Sequence, residues 1–165
     1  MNRRTVLSTV GAGLGALTAG CLGGTVVHEV QRQVRIDPGG YWVSRLPDVG
    51  GSGAISFAVR AESRFDVFVF TDPANFDHYE SFHEAGSATE TPTGHPELGA
   101  TAVLDEERGL FDASTTDGGA RQSYDVAGES YFVVDHSRYG MGAQPGETAG
   151  ALQPFVDLEV VDEQF

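Results

Sequence analysis

Apolar and polar residues alternate along most of this chain, and this alternation predicts β-strands. In the segment 54–61, Ile55, Phe57 and Val59 share one parity, and the residues between them are polar, charged or small. Successive side chains of a strand point to opposite faces, so the segment predicts a strand with one buried face. Similar runs, separated by glycine, proline and aspartate turns, predict strands at 26–36, 41–46, 65–71, 100–106, 109–114, 120–126, 130–136 and 154–161.

Two of these strands are apolar on both faces. The first is 65–71, whose only polar interruption before its last residue is Asp66, and the second contains the run 131–134. A strand with two apolar faces is covered on both sides. We therefore expect both strands to be central in the fold.

One short helix is expected directly after the first central strand. Residues 71–73, Thr-Asp-Pro, combine an N-cap residue with a proline suited to the first helical turn. The helix is predicted over 73–83, with Phe76, Tyr79 and Phe82 on one side.

Taken together, eight or nine short strands between turns predict an all-β fold, an antiparallel and jelly-roll-like β-sandwich with one short helix. Two long glycine-rich segments, 84–99 and 137–152, are expected to be loops. Because the strands that precede them are both expected to be central, we expect the two loops to meet at one edge of the domain.

The first 21 residues have a different pattern. Arg3 and Arg4 precede a mildly apolar, glycine-rich run over 6–17, which leads to small residues and Cys21. This order resembles a twin-arginine export signal joined to a lipobox, the site at which lipoproteins are cleaved and lipidated. Thr18 departs from the lipobox pattern, which usually has Leu, Val or Ile three residues before the cysteine.

The resemblance implies an extracytoplasmic protein anchored to the cell membrane through a lipid on Cys21, which is the only cysteine of the chain. The apolar run is too short and too rich in glycine for a membrane-spanning helix, which needs about 20 apolar residues. The expected organisation is a signal peptide at 1–20, a lipidated anchor and short linker at 21–25, and a β-sandwich domain at 26–165.

The charge balance is strongly acidic. Without Arg3 and Arg4, the chain has eight arginines, no lysine and 24 acidic residues, a net charge of −16. This composition resembles that of proteins from salt-loving archaea, because near molar salt the Debye length falls to about 3 Å and dense carboxylates no longer repel one another. Nucleic-acid binding is excluded as a function, since such a surface repels phosphate.

A second resemblance covers roughly 54–161. FDVFVFTDPANFDHYESF at 65–82, followed by VAGESYFVVDHS at 126–137, is similar to the jelly-roll-like sandwiches of exported archaeal and bacterial proteins. The same outline is found in GOLD domains and in domains appended to secreted peptidases. Such domains usually bind or support and seldom catalyse, so the resemblance implies a binding or supporting domain. His136 stands where these domains usually have asparagine after the aspartate, here Asp135.

No motif in the chain predicts catalysis or a bound cofactor. The segments around Ser52 and Ser130 lack the last glycine of a nucleophile elbow. The five histidines have neither the HExxH nor the HxH spacing of zinc sites, and the absence of lysine excludes a P-loop. We therefore predict no catalytic residue, no cofactor and no metal ligand.

Binding residues are instead expected in or beside the two long loops. The candidates for ligand contacts are His83, His95, His136, Tyr139 and Met141, and Tyr139 could form an exposed aromatic patch with Phe76 and Tyr79.

The expected role is a non-catalytic binding or envelope-associated module. The expected partners are the membrane, through lipidated Cys21, and an envelope or membrane protein. The alternatives are a small-ligand or metal-binding lipoprotein that serves a membrane complex, and a hydrolase.

Overall fold

The computed structural model describes residues 24–85, 92, 94–137, 139 and 150–164. Within these residues it contains ten strands and two short helices. They are, in chain order, β1 Thr25–Gln33, β2 Tyr41–Leu46, β3 Gly53–Ala61, β4 Asp66–Phe70, α1 Pro73–Ala85, β5 Ala100–Thr101, β6 Val103–Asp105, β7 Leu110–Ser114, α2 Thr116–Gly119, β8 Gln122–Ser123, β9 Ser130–Asp135 and β10 Phe155–Asp162. The predicted signal peptide, Cys21 and Met141 lie outside the described residues.

The strands form two antiparallel sheets. The large sheet has the order β1-β10-β3-β7-β6, with β8 also paired to β3, and the small sheet has the order β2-β9-β4-β5. Strands β1 to β4 alternate between the sheets, and β1 pairs with β10, β2 with β9 and β4 with β5. The first half of the chain is thus folded back on the second half and wound into two sheets, which is a jelly-roll arrangement. The predicted all-β antiparallel sandwich is confirmed.

The main core lies between the two sheets. Strand β3 contributes Ile55, Phe57 and Val59, which are all almost fully buried, and β9 of the opposite sheet contributes Phe132. The rings of Phe57 and Phe132 pack edge to face with centroids 5.1 Å apart and join the two sheets directly. The strict alternation in β3 therefore arises because only one of its faces meets the other sheet.

The small sheet is covered on its outer face as well. Phe68 and Phe70 of β4 point away from the main core and form a second cluster with Phe76 and Tyr79 of α1 and with Val133 of β9. This second layer explains why β4 and β9 are apolar on both faces, and the prediction that they are central is confirmed.

Within the described residues, the outer face of the large sheet has no long helix packed over it, and only the short helical turn α2 adjoins β3 and β7. We call this outer face the open face, and define it by the outward side chains of β1, β10 and β3, which include Gln31, Asp157 and Arg60. On this face Ala58 of β3 lies between Asp157 of β10 and Ser114 of β7. The two outer faces of the sandwich are therefore unlike, one packed under a helix and the other exposed.

The strand predictions need three corrections. The predicted strand 100–106 is divided into β5 and β6, because β5 pairs with β4 of the small sheet and β6 pairs with β7 of the large sheet. The chain passes from one sheet to the other at the buried Ala102, whose N–H donates to the Phe65 carbonyl (3.1 Å) and ends the pairing with β4. The strand expected at 120–126 is reduced to β8. The segment 117–119, expected as a simple turn, belongs to the helical turn α2, where Asp117 has a left-handed φ of 53°.

The surface has far fewer basic than acidic side chains to form ion pairs. Each arginine described in the domain lies against an acid or an aromatic ring: Arg35–Asp37, Arg45–Glu129, Arg60–Asp112, Arg108–Asp105, Arg121–Glu159, Arg32 over Trp42 and Arg64 over Phe111. The excess acidic residues have no such cations to balance them. None of the helices in the described part of the chain is long and apolar enough to cross a membrane.

This charge imbalance predicts that folding depends on salt. The melting temperature of the purified protein should be higher in 3 M KCl than in 0.1 M KCl, because screening removes repulsion among uncompensated carboxylates. Circular dichroism melts in both buffers measure the difference. Equal or lower stability in 3 M KCl would show that acidic repulsion does not limit the fold.

Candidate functional site

Asp135 is the centre of a buried polar cluster between the small sheet and α1. It is the last residue of β9 and is 1% exposed. The strand register places it beside Tyr41 of β2 on one side and beside Asp66 of β4 on the other. Thr101 of β5 is opposite Asp66, so one row of polar side chains crosses the outer face of the small sheet.

Both oxygens of the Asp135 carboxylate accept hydrogen bonds. Oδ2 accepts from the hydroxyl of Tyr79 on α1. Oδ1 accepts the backbone N–H of Ser137 (2.9 Å), and the Ser137 hydroxyl lies 2.9 Å from Oδ1 and 2.8 Å from Oδ2. A carboxylate is an acceptor only, so these donors suit it. Asp135 thereby fastens α1 and the turn at 137 to the end of β9.

Tyr79 is held in place by aromatic rings on several sides. It is fully buried, and its ring contacts those of Tyr41 (centroids 4.9 Å apart), Phe70 (5.2 Å) and Tyr139 (4.7 Å). Burial, and secondarily the charge of Asp135, raise the pKa of Tyr79 far above its ordinary value, so the phenol keeps its proton and acts as a donor. The same two causes raise the pKa of Tyr139 to about 12.

Within the described part of the chain, two polar atoms beside Asp135 have no hydrogen-bond partner. His83 Nε2 is 3.5 Å from Asp135 Oδ2, close enough for an ion pair when the ring is protonated, but it makes no hydrogen bond. Asp66 Oδ2 is also buried and has no hydrogen-bond partner. Burial raises the pKa of Asp66, and the neighbouring Asp135 raises it further, while a hydrogen bond with Thr101 opposes both effects.

The cluster is closed to solvent. The His83 side chain is 11% exposed, and Asp135, Asp66, Tyr79 and Tyr139 are more deeply buried, whereas Tyr41 is partly exposed at the edge of the cluster. Catalysis requires that a substrate reach the reactive groups, whereas here the polar atoms are directed at one another. The arrangement suits the attachment of α1 to the sheet.

Tyr139 belongs to this closed cluster. It is 2% exposed, and its hydroxyl donates to the Pro92 carbonyl (2.5 Å). This contact joins the segments 84–99 and 137–152, which were expected to meet at one edge of the domain. The exposed aromatic patch suggested for Tyr139, Phe76 and Tyr79 was wrong, because all three rings are buried against the small sheet.

The other candidate residues are not gathered in one place. His83 adjoins Asp135, whereas the buried His136 directs Nε2 to the Gly150 carbonyl (3.1 Å). The His95 N–H donates to the Val69 carbonyl (2.7 Å) and extends the hydrogen bonding of β4. Gly94 makes this approach possible, since a Cβ at its φ of 78° would lie 2.8 Å from the same carbonyl oxygen. Ligand contact by these histidines remains a prediction.

A surface groove that the sequence reasoning missed lies at one end of the open face. It has a volume of about 540 Å³. Its walls come from the ends of β1, β3 and β10, from the turn after β3 and from the segment before β10, and include Gln33, Arg60, Glu62, Ser63, Gln153 and Phe155. Phe155 is 41% exposed and is the one aromatic ring among the residues that line it.

Arg60 is oriented at the groove by a cross-strand partner. Its Nε donates to Asp112 Oδ2 of the neighbouring β7 at 2.9 Å. A second depression of about 510 Å³ lies on the other side of the same ion pair. The one sign of the groove in the sequence is Phe155, an aromatic residue that shares a face of β10 with the acidic Asp157 and Glu159.

Within the described residues, no group of three or more histidine, cysteine, aspartate or glutamate side chains is arranged to hold a metal ion. No protein-family model matches the chain, and searches of the curated proteins and of the solved structures found no significant match.

The buried Asp66 predicts a stability change with pH. Its folded pKa is raised, so its stabilising contribution is complete below the unfolded value of 3.8 and is lost as the pH rises through the folded pKa. Asp66→Asn should therefore raise the melting temperature at pH 7.5 by several degrees, since about 1 kcal/mol corresponds to about 2–4 °C in a chain of this size. The gain should vanish at pH 3.5.

Asp125→Asn removes the same charge at an exposed position, so it does not remove the cost of burying a carboxyl. It is the matched control, and both variants are studied in 3 M KCl. Thermal melts of both variants at the two pH values measure the effect. If Asp66→Asn raises the melting temperature no more than Asp125→Asn does, burial of the Asp66 carboxyl does not lower the stability of the fold.

Proposed function

We propose that this chain is a non-catalytic, extracytoplasmic binding module, anchored by a lipid on Cys21, whose open face holds a component of the cell envelope. The observation that carries the proposal is the difference between the two outer faces. The small sheet is sealed by α1 through Tyr79 and Asp135, whereas the large sheet presents its side chains to solvent.

The proposed anchor agrees with the start of the domain. Three residues lie between Cys21 and Thr25, the first residue of β1, and the four residue steps span at most about 14 Å when extended. A lipid on Cys21 would therefore keep that end of the sandwich at the membrane surface. This end also contains Gly53 and Asp162, which are paired with one another in adjacent strands.

The polar chemistry beneath α1 supports a structural role for that face. Asp135 accepts hydrogen bonds from Tyr79 and Ser137, and the histidine beside it is nearly buried. The open face, in contrast, combines exposed polar groups with a groove that contains an exposed ring. Pockets with a few polar groups around an apolar surface are typical of binding sites.

Photo-crosslinking in intact cells tests which face binds. A photoreactive amino acid is placed at Gln31 or Ala58 on the open face, and at Asp77 or Ser81 on the exposed side of α1 as the matched controls. We expect crosslinked envelope material from the open-face positions at several times the yield from the helix positions, measured by mass spectrometry of the purified adducts.

Equal or greater yields from the helix positions would refute the proposed binding face. The Cys21→Ser chain provides a control for the anchor, because without the thiol the domain should leave the membrane fraction and lose these crosslinks. If that variant stays in the membrane with the same adducts, the proposed anchor is wrong.

A further inference from the structure

We infer that the groove at the end of the open face is a binding site for a neutral, polyhydroxylated ligand, an envelope saccharide, and that it faces away from the membrane. The inference rests on the proposed function and names its ligand class. It is carried by the residues around Phe155 and by the position of the groove along β1.

The groove has an apolar platform bordered by groups that bind hydroxyls. The register places Phe155 between Gln33 of β1 and Arg60 of β3, so an exposed ring is flanked on both sides by hydrogen-bonding side chains. Its 41% exposure shows that the ring is not used in the core. The face of a sugar ring presents C–H groups and its rim presents hydroxyls, which match this arrangement.

The groove contains both hydrogen-bond donors and hydrogen-bond acceptors. Arg60 uses Nε for Asp112, and among the described residues its two terminal nitrogens, which are donors, make no hydrogen bond. Gln33 donates its amide N–H to the Gln153 carbonyl (3.3 Å), which leaves its own side-chain oxygen as an acceptor. Glu62 adds an acceptor and Ser63 a hydroxyl. A hydroxyl both donates and accepts, so a polyol can satisfy this mixed set.

The local charge favours a neutral ligand. Arg60 is paired with Asp112, and Glu62 adds a further negative charge beside them. An anion would meet these carboxylates on a chain with a large acidic excess. A cation would depend on exposed ionic contacts, which contribute little and are screened in concentrated salt. Stacking on Phe155 and neutral hydrogen bonds persist at high salt.

The position of the groove follows from the strand that begins next to the anchor. Strand β1 starts at Thr25, near Cys21, and ends at Gln33, which lines the groove. Eight residue steps along a strand cover roughly 26 Å. With the domain held at the membrane by Cys21, the groove lies at the far end, where envelope polysaccharide can reach it and lipid headgroups cannot.

The test measures saccharide retention by the full chain. The purified protein is immobilised in 3 M KCl, and the probe is the polysaccharide fraction of protease-digested envelope from the producing cells, with or without periodate oxidation of its diols. We expect hexose to be retained, at least about tenfold less to be retained after periodate, and equal retention in 1 M and 3 M KCl.

Two variants tie retention to the groove. Phe155→Ala should lower retention at least about tenfold, and Gln153→Ala, which shortens a second wall of the groove, should lower it as well. The matched control is Val27→Ala, since Val27 is 42% exposed at the opposite end of the same sheet and should be dispensable. Near-UV circular dichroism verifies that each variant is folded.

The outcomes separate this inference from the proposed function. No retention, retention that survives periodate, or equal retention by Phe155→Ala and Val27→Ala overturns the saccharide site. If crosslinks from Gln31 and Ala58 nevertheless capture an envelope protein, the proposed binding module stands with a different ligand. If those crosslinks are also lost, both proposals are wrong.

Discussion

The hydrogen bond from Tyr79 to Asp135 is the interaction on which the arrangement of this domain depends. A jelly roll has two outer faces, and each sheet must either be covered or be polar enough for water. Here the small sheet presents Phe68, Phe70 and Val133 outward, so it requires a cover. Helix α1 supplies it, and the buried contact with Asp135 joins that helix to the end of β9.

The two outer faces of the sandwich consequently differ. Since the aromatic side chains of α1 are used for packing, they are not free to contact a ligand. The exposed ring at Phe155 and the paired Arg60 lie on the opposite side, where no long helix of the described residues covers the sheet. The contacts that fasten the helix thus lie on the small sheet, and the proposed binding face lies on the large sheet.

Much of the fold could be predicted because strand burial is directly visible as period-two patterning. Ile55, Phe57 and Val59 alternate since they meet the opposite sheet, and the apolar segment around Phe68 indicated a strand covered twice. The break at Ala102 was not predictable, because it depends on the sheets that the two halves of the segment join, β5 with β4 and β6 with β7. The shortness of β8 was not predictable either, since its pairing with Ala54 and Ile55 involves residues distant in sequence.

The candidate site was harder to predict for the same physical reason. Asp66 stood out as the polar residue of an apolar strand, but its neighbour Asp135 is set by the register of β4 and β9, which no local pattern specifies. Tyr139 was expected to be exposed because it lies in a glycine-rich loop, yet its ring fills the space beside Tyr79. The groove is formed by several separate segments, so no single stretch of sequence indicates it.

Hydrogen exchange of Tyr79→Phe tests the central claim most directly. Losing a hydrogen bond to a charged group costs about 1.5–3 kcal/mol, and each 1.4 kcal/mol is about tenfold in an equilibrium. The amides of α1 should therefore exchange at least about tenfold faster, while β3 and β10 keep their protection. Tyr124→Phe, which removes a buried hydroxyl bonded to Ser130 elsewhere, should leave α1 unchanged. Unaltered exchange in α1, or uniform acceleration across both sheets, would contradict the claim that this bond fastens the cover of the small sheet.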